Sequence, residues 1–298
     1  MKSYLRNRTH YVHVGNISSS PLVLQFGVPQ GSVLGPLLFL LFINDMPNCT
    51  KFKVTLFADD TFLKMESPNL QELRVQANKE MKNINNWLIA NKLTLNIKKY
   101  KYMIIGRRKN IPAEDFSLEL DEKDKILRCN EYKYLGVIID DKLTWKSHIK
   151  LICEKIGKTC GAIAKLRHCV NSSTLKSVYY ALVFSHIQYC NIVWGDATKK
   201  AMKPLKNMLD RIVRIMTFAP FENNRSQQFY DEIEILNLTQ VHKLEKAKFM
   251  YKYKNNQLPC NFTNYIQQSG EGHRYSLRSR SQQNYQPDKF KIFTEREN

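Results

Sequence analysis

Two β-prone runs, Val54 to Ala58 and Thr61 to Met65, are separated by Asp59 and Asp60 alone, so the chain must reverse almost at once with two carboxylates at the bend. Adjacent carboxylates between apolar strands repel each other unless a cation neutralises them, and hard oxygen donors suit Mg²⁺. The same dipeptide also reads as an ordinary turn, because Asp favours turns. The surrounding pattern decides how such a hairpin is used. Upstream, Tyr11 to Gln25 reads as a hairpin turning at Gly15-Asn16, followed by a loop with Gly27, Pro29 and Gly31. The apolar run Val33 to Asn44 behind Gly35-Pro36 reads as a buried helix, and Leu37, Leu38, Leu40, Leu41 and Ile43 are expected to pack on the acidic hairpin.

Downstream, Leu70, Leu73, Ala77, Met81, Ile84 and Leu88 recur at helical spacing through Asn91. Leu93 to Asn96, Tyr102 to Gly106 and Tyr134 to Ile139 read as strands, the last closed by a turn at Asp140-Asp141. The acidic stretch Glu114 to Asp124 reads as an exposed hairpin or linker. From Trp145 onward helices take over: Ile149, Ile152, Ile156, Cys160, Ile163 and Leu166 share one face. Asn171-Ser172-Ser173 supplies a cap for the next helix, whose face begins Leu175, Val178, Leu182, His186. Basic amphipathic helices follow near Ala201 to Thr217 and Leu238 to Lys254. Strands first and helices after predict an α+β fold.

Charge narrows the partners. Against 27 Asp and Glu stand 46 Lys and Arg among 298 residues, a net +19, which points to polyanions. Lys98, Lys99, Lys101, Arg107, Arg108 and Lys109, with Tyr100 and Tyr102 interleaved, offer phosphate contacts and base stacking. A hydrophobic share of 43% excludes a disordered or fibrous chain. The longest apolar stretch, Val33 to Ile43, is too short to cross a membrane, and the polar start has no apolar signal region, so the reading predicts an intracellular protein of the cytoplasm or nucleus. Seven scattered cysteines without a C-x-x-C read as small apolar thiols rather than a disulfide framework or zinc ribbon.

Three motifs occur in order: Gly27-Val28-Pro29-Gln30-Gly31-Ser32-Val33-Leu34-Gly35-Pro36-Leu37-Leu38-Phe39, then Phe57-Ala58-Asp59-Asp60, then Tyr134-Leu135-Gly136. In that order the chain resembles the reverse transcriptases of non-LTR retrotransposons, most closely the jockey-like elements of animals. The resemblance implies part of a right-hand polymerase palm over 1–139, an all-helical thumb-like region over 140–266 and a basic, flexible tail over 267–298. It implies RNA-directed DNA synthesis, a nucleotidyltransferase reaction that extends a DNA primer with deoxynucleotides on an RNA template. Gln30, Gly31 and Ser32 would border nucleotide and template, and Asp59 and Asp60 would bind two Mg²⁺ ions. Leu95-Asn96-Ile97-Lys98-Lys99 resembles the motif whose lysine assists the pyrophosphate leaving group, with Lys99 the better match and Lys98 the other candidate. Tyr134, Leu135 and Gly136 would form the primer grip. The family's other metal-binding aspartate, with its fingers and endonuclease, belongs before Tyr4 to Arg8, so this stretch is expected to be inactive alone. A non-catalytic nucleic-acid-binding remnant of a mobile element is the alternative. A structural helical interaction protein, the third reading, would be indifferent to polyanions.

Overall fold

Short strands crowd the first 140 residues and long helices fill the rest, as the change of hydrophobic period at Trp145 requires. The computed structural model describes residues 2–24, 27–29, 31–94, 96, 99–106, 116–120, 125–219, 226–259, 262, 266–268, 285–287 and 293–295. The chain is mixed α/β and divides into two compact units: Met1–Ile104 with Arg108–Cys129 and Lys291–Asn298, and Asn130–Phe290 with Ile105–Arg107.

In the first unit α1 (Lys2–Leu5) leads into β1 (Arg8–His10), β2 (His13–Val14), β3 (Ile17–Ser18) and β4 (Leu22–Leu24). β2 and β3 close on the expected Gly15-Asn16 turn, and β1 pairs with β4 outside them. Then come α2 (Gly35–Ile43), β5 (Lys53–Phe57), β6 (Asp60–Lys64), α3 (Leu70–Ala90), β7 (Lys101–Met103), β8 (Leu118–Glu119) and β9 (Lys125–Arg128). β5 and β6 begin a six-stranded sheet that continues through the 293–295 strand to β7, β9 and β8, antiparallel except for the β7–β9 pair. Leu73, Ala77, Met81, Ile84 and Leu88 of α3 cluster with Leu63, Met65, Tyr102, Leu118 and Ile126 from the sheet, the face the spacing predicts. Asn69 caps that helix by accepting from the Gln71 N–H at 3.0 Å.

Two expectations fail here. Leu93 and Thr94 form no strand: Lys92 adopts φ 57° and the Leu93 N–H turns back to the Leu88 carbonyl at 2.9 Å. More tellingly, α2 is not the buried helix expected. Ile43 and Gly35 are buried, but Leu37 and Leu41 are 50% and 62% exposed, and Leu40 and Phe42 are exposed as well. A helix reading Gly-Pro-Leu-Leu-Phe-Leu-Leu-Phe-Ile is apolar on every side, and packing in this unit covers only part of it.

The second unit opens with β10 (Glu131–Tyr134) and β11 (Val137–Asp140), then α4 (Lys146–Leu166), α5 (Ser172–Tyr179), α6 (Ser185–Gln188), α7 (Asn191–Trp194), α8 (Lys199–Met216), α9 (Ser226–Glu232) and α10 (Leu238–Lys254). The expected strand Tyr134 to Ile139 is instead a tight hairpin, because Leu135 (φ 42°) and Gly136 (φ 85°) both turn left-handed. Ile149, Ile152, Ile156, Cys160 and Ile163 join Leu205, Leu209, Ile212 and Trp194 in one core. Asn171 caps α5 by accepting from the Thr174 N–H at 2.8 Å, as expected. Beyond it the buried face runs Leu175, Tyr179, Val183, Ile187 rather than Leu175, Val178, Leu182, His186. One π-helical turn, Tyr180–Phe184, separates α5 from α6 and adds the extra residue. Most of 267–298, the expected tail, lies outside the described residues. Within it, 285–287 pairs with 266–268. Among the described residues no helix is long and apolar enough to cross a membrane.

Candidate functional site

The acidic hairpin reverses the chain in two residues. Phe57 pairs with Asp60, so the bend itself is Ala58-Asp59, and Asp60 is the first residue of β6 rather than part of the tip. Ala58 sits at φ 52°, a left-handed conformation that costs an L-residue about 1–2 kcal/mol. The Oδ2 of Asp59 is shut away from solvent and has no hydrogen-bond partner. An unsatisfied buried oxygen costs about 1–3 kcal/mol, more when charged, and a divalent cation is the ligand that would relieve it. The donor chemistry therefore fits a hard metal ion at Asp59, with Asp60 beside it. Two carboxylates do not complete a site, and among the described residues no cluster of three or more His, Cys, Asp or Glu side chains is placed to hold a metal.

Glu80, which the sequence pattern missed, anchors the approach to this hairpin. It is buried on α3 and accepts from the Thr50 hydroxyl at 3.0 Å, the Lys51 N–H at 2.8 Å and the Asn83 amide at 3.2 Å. Burial pushes its carboxyl up, yet those hydrogen bonds win and hold it below the ordinary carboxylate range. Its position in the stripe Leu73-Ala77-Glu80-Ile84 was the available signal: an acid on an apolar arc needs partners.

The glycine loop is a separate construction. Gly27 and Gly31 adopt φ 80° and 77°, and Arg8 donates to the Gly27 carbonyl at 2.5 Å. Ser32 ties the loop to α2: its hydroxyl donates to the Pro29 carbonyl at 2.7 Å while accepting from Tyr4 and, at 3.1 Å, from the Gly35 N–H. One donor and two acceptor positions are thereby filled. Gln30 lies outside the described residues, as do Lys98, Arg107, Arg108 and Lys109. Lys99 is half-buried in a short turn whose N–H reaches the Asn96 carbonyl at 2.9 Å. Tyr100 and Tyr102 are not available to stack bases. Both are buried in the core, and Tyr102 donates to the Phe116 carbonyl at 2.7 Å.

Tyr134, Leu135 and Gly136 belong to the second unit, at the β10–β11 tip. Tyr189 donates its hydroxyl to the Leu135 carbonyl at 2.5 Å, and its ring would stand 3.3 Å from a Cβ on Gly136. Asp140 ends the hairpin by accepting from the N–H groups of Lys142, Thr144 and Trp145 at 3.2, 2.9 and 2.8 Å, which makes it the turn organiser expected of it. His148 is buried beneath β11, its Nδ1 accepting from the Ile138 N–H at 3.3 Å while Nε2 has no partner. Burial, with Lys155 adding to it, pulls this imidazole down from 6.5 to about 4.

Residues 1–139 match the sequence family described as reverse transcriptase (RNA-dependent DNA polymerase). That match takes in slightly less than half of the 298 residues. The family segment takes in the glycine loop, the acidic hairpin and, in the second unit, the β10–β11 hairpin. Similarity to curated proteins extends further: the chain is 26% identical over 234 residues to "RNA-directed DNA polymerase from mobile element jockey" of Drosophila melanogaster, covering 74% of this chain and 25% of that protein. It is 28% identical over 233 residues to "Probable RNA-directed DNA polymerase from transposon BS" of the same organism, with the same coverage. A Pol polyprotein from the type-1 retrotransposable element R1 of Nasonia vitripennis is 25% identical over 202 residues, 62% of this chain and 58% of the relative. The chain thus spans about a quarter of the length of its jockey and BS relatives. No solved structure matches it.

Proposed function

We propose that this reverse transcriptase chain takes part in RNA-directed DNA synthesis, the attack of a DNA primer's 3′-hydroxyl on the α-phosphate of a deoxynucleotide with loss of pyrophosphate, on an RNA template. The observation that carries the reading is the buried, unpartnered Oδ2 of Asp59 on a strained two-residue turn inside a family-matched segment. Asp59 and Asp60 would hold Mg²⁺, which when bound supplies neutralisation of the phosphoryl charge and activation of the attacking hydroxyl. Glu80 holds the start of β5 against α3 and so fixes where the two carboxylates stand. Gly31 leaves backbone open to a nucleotide, Gln30 would hydrogen-bond a base edge, and Ser32 enters by tying that loop. Lys99 neutralises the leaving group, and Tyr134 to Gly136 form a rigid tip for the primer strand. In this reading 1–139 is part of the palm, 140–266 the helical thumb-like region and 267–298 a basic tail.

Asp59 and Asp60 are fewer ligands than two ions need, so the chain alone is expected to extend no primer. Joined to the amino-terminal reverse transcriptase segment of a jockey relative, it should extend a DNA primer on RNA, and Asp59→Asn in the joined protein should lower the rate by at least about a thousandfold through lost metal positioning. Extension that survives Asp59→Asn would overturn the metal role. Failure of the joined protein to extend any primer, while it still binds nucleic acid, would favour a non-catalytic binding remnant.

A further inference from the structure

Helices α8 and α10 of the second unit wall a groove of about 750 Å³ whose lining includes Lys199, Lys203, Lys206, Asp210, Tyr230 and His242. The three lysines stand at i, i+4 and i+7 on α8, so they share one face and step along the axis by about 6.0 and 4.5 Å. They point that way because the opposite face, Ala201, Leu205, Leu209, Ile212 and Val213, is buried in the core. Among the described residues none of the three makes an ion pair. Lys176, Lys246 and Lys248 of the same unit, by contrast, each sit on a carboxylate at 3.3, 2.7 and 3.0 Å.

The other polar groups of the groove have hydrogen-bond partners within the protein. Tyr230 donates to Asp210 at 3.0 Å, and His242 is fixed between Asn191 at 2.8 Å and Asp196 at 3.0 Å. Lys246 and His242 together hold the Asp196 carboxyl below its ordinary range. A Cβ on Gly195 would collide with the His242 ring, so the close approach that builds this wall depends on glycine. Against the single carboxylate of Asp210, whose charge the neutral Tyr230 hydroxyl does not cancel, the groove sets three ammonium groups along one lip, a net positive charge that favours a multivalent anion.

We propose that this groove binds the phosphodiester backbone of a single nucleic-acid strand, with Lys199, Lys203 and Lys206 on successive phosphates. The site's location rests on the groove alone; the choice of a nucleic-acid strand among polyanions rests on the reverse transcriptase reading. Spacing on the scale of neighbouring phosphates, and a groove larger than one phosphate fills, fit a strand better than a compact ion.

The test uses the full chain and labelled oligouridylate and oligodeoxythymidylate strands, with affinity measured across a salt series. Lys199→Gln/Lys203→Gln/Lys206→Gln should weaken both strands at least tenfold. It should also reduce the slope of log affinity against log salt by about 2, as loss of three contacts to a single strand requires. Lys150→Gln/Lys158→Gln/Lys165→Gln, three exposed lysines of α4, removes the same charge elsewhere and should change the slope by less than half as much. Equal losses in the two triple variants, an unchanged groove variant, or a loss confined to one sugar would each overturn the site. Displacement of the strand by equimolar inorganic triphosphate would overturn a strand as its occupant. Should the triple variant lose its helical signal, Lys203→Glu alone, at an exposed position, reads the same slope. Strand binding by this chain reads the groove and primer extension by the joined protein reads the metal role, so failure of one is told apart from failure of the other.

Discussion

Two hairpins of nearly identical build meet different ends. Phe57 to Asp60 and Tyr134 to Val137 each reverse the chain in two residues and each place a non-glycine residue, Ala58 or Leu135, in the left-handed region. At the second tip the strain is matched by support: Tyr189 donates to the Leu135 carbonyl and packs its ring over Gly136, and His148 accepts from the Ile138 N–H behind the turn. At the first tip the backbone is strained and a carboxylate oxygen is buried without a partner. The second tip is held by neighbouring side chains, although His148 Nε2 behind it is itself without a partner; at the first tip the unpartnered atom is a carboxylate oxygen of the turn itself.

The contrast is breakable in measurable ways. The largest effect belongs to His148. The unfolded imidazole takes up its proton near 6.5 and the native one near 4, so stability is full above pH 6.5 and falls as the pH drops between those values, by about 3 kcal/mol for this group. Urea midpoints at pH 7.5 and 4.5 should show that loss in the parent chain and much less of it in His148→Gln; equal pH dependence in the two would remove His148 as the support of the second hairpin.

Glycine substitutions should act with opposite signs at the two tips. Gly136→Ala places a Cβ at φ 85° and 3.3 Å from the Tyr189 ring, and should cost about 2 kcal/mol in thermal unfolding. Ala58→Gly relieves a left-handed alanine and should gain up to about 1 kcal/mol. The same sign in both would mean that the acidic tip is not strained. Smallest of all, Asp59→Asn should leave stability within about 1 kcal/mol of the parent and not below it, since no hydrogen bond to Oδ2 is lost. A clear destabilisation would show that the carboxylate serves the fold.

The part of this that was legible in the sequence is the part where one periodicity allows one outcome. Leu73, Ala77, Met81, Ile84 and Leu88 mark α3 because polar residues separate them, and Asn171 marks the start of α5 because its side chain caps that helix. The run Leu37 to Ile43 has no polar side, so nothing in it tells which faces are covered. Tyr100 and Tyr102 alternate with lysines as base-stacking residues would, yet the same alternation arises when one sheet face enters a core. The Asp59-Asp60 bend was readable as a hairpin, but the shift of Asp60 into the strand is a matter of register, which composition does not record. Tyr134 to Ile139 reads as one strand because its residues are β-prone, and Gly136 within that run is the signal that could have marked the hairpin.

The π-helical turn at Tyr180–Phe184 bears on how this chain is to be compared with others. It slips the downstream helical face by one position, so that Ile187 and not His186 enters the core. A homologue without that turn would need one residue fewer to bring the same side chain to the same depth. Aligned letter by letter, its later helices would fall out of step with this one by a single place, and identity counted across them would understate how alike the two folds are. A one-residue gap set between Tyr179 and Ile187 is where such an alignment should be opened.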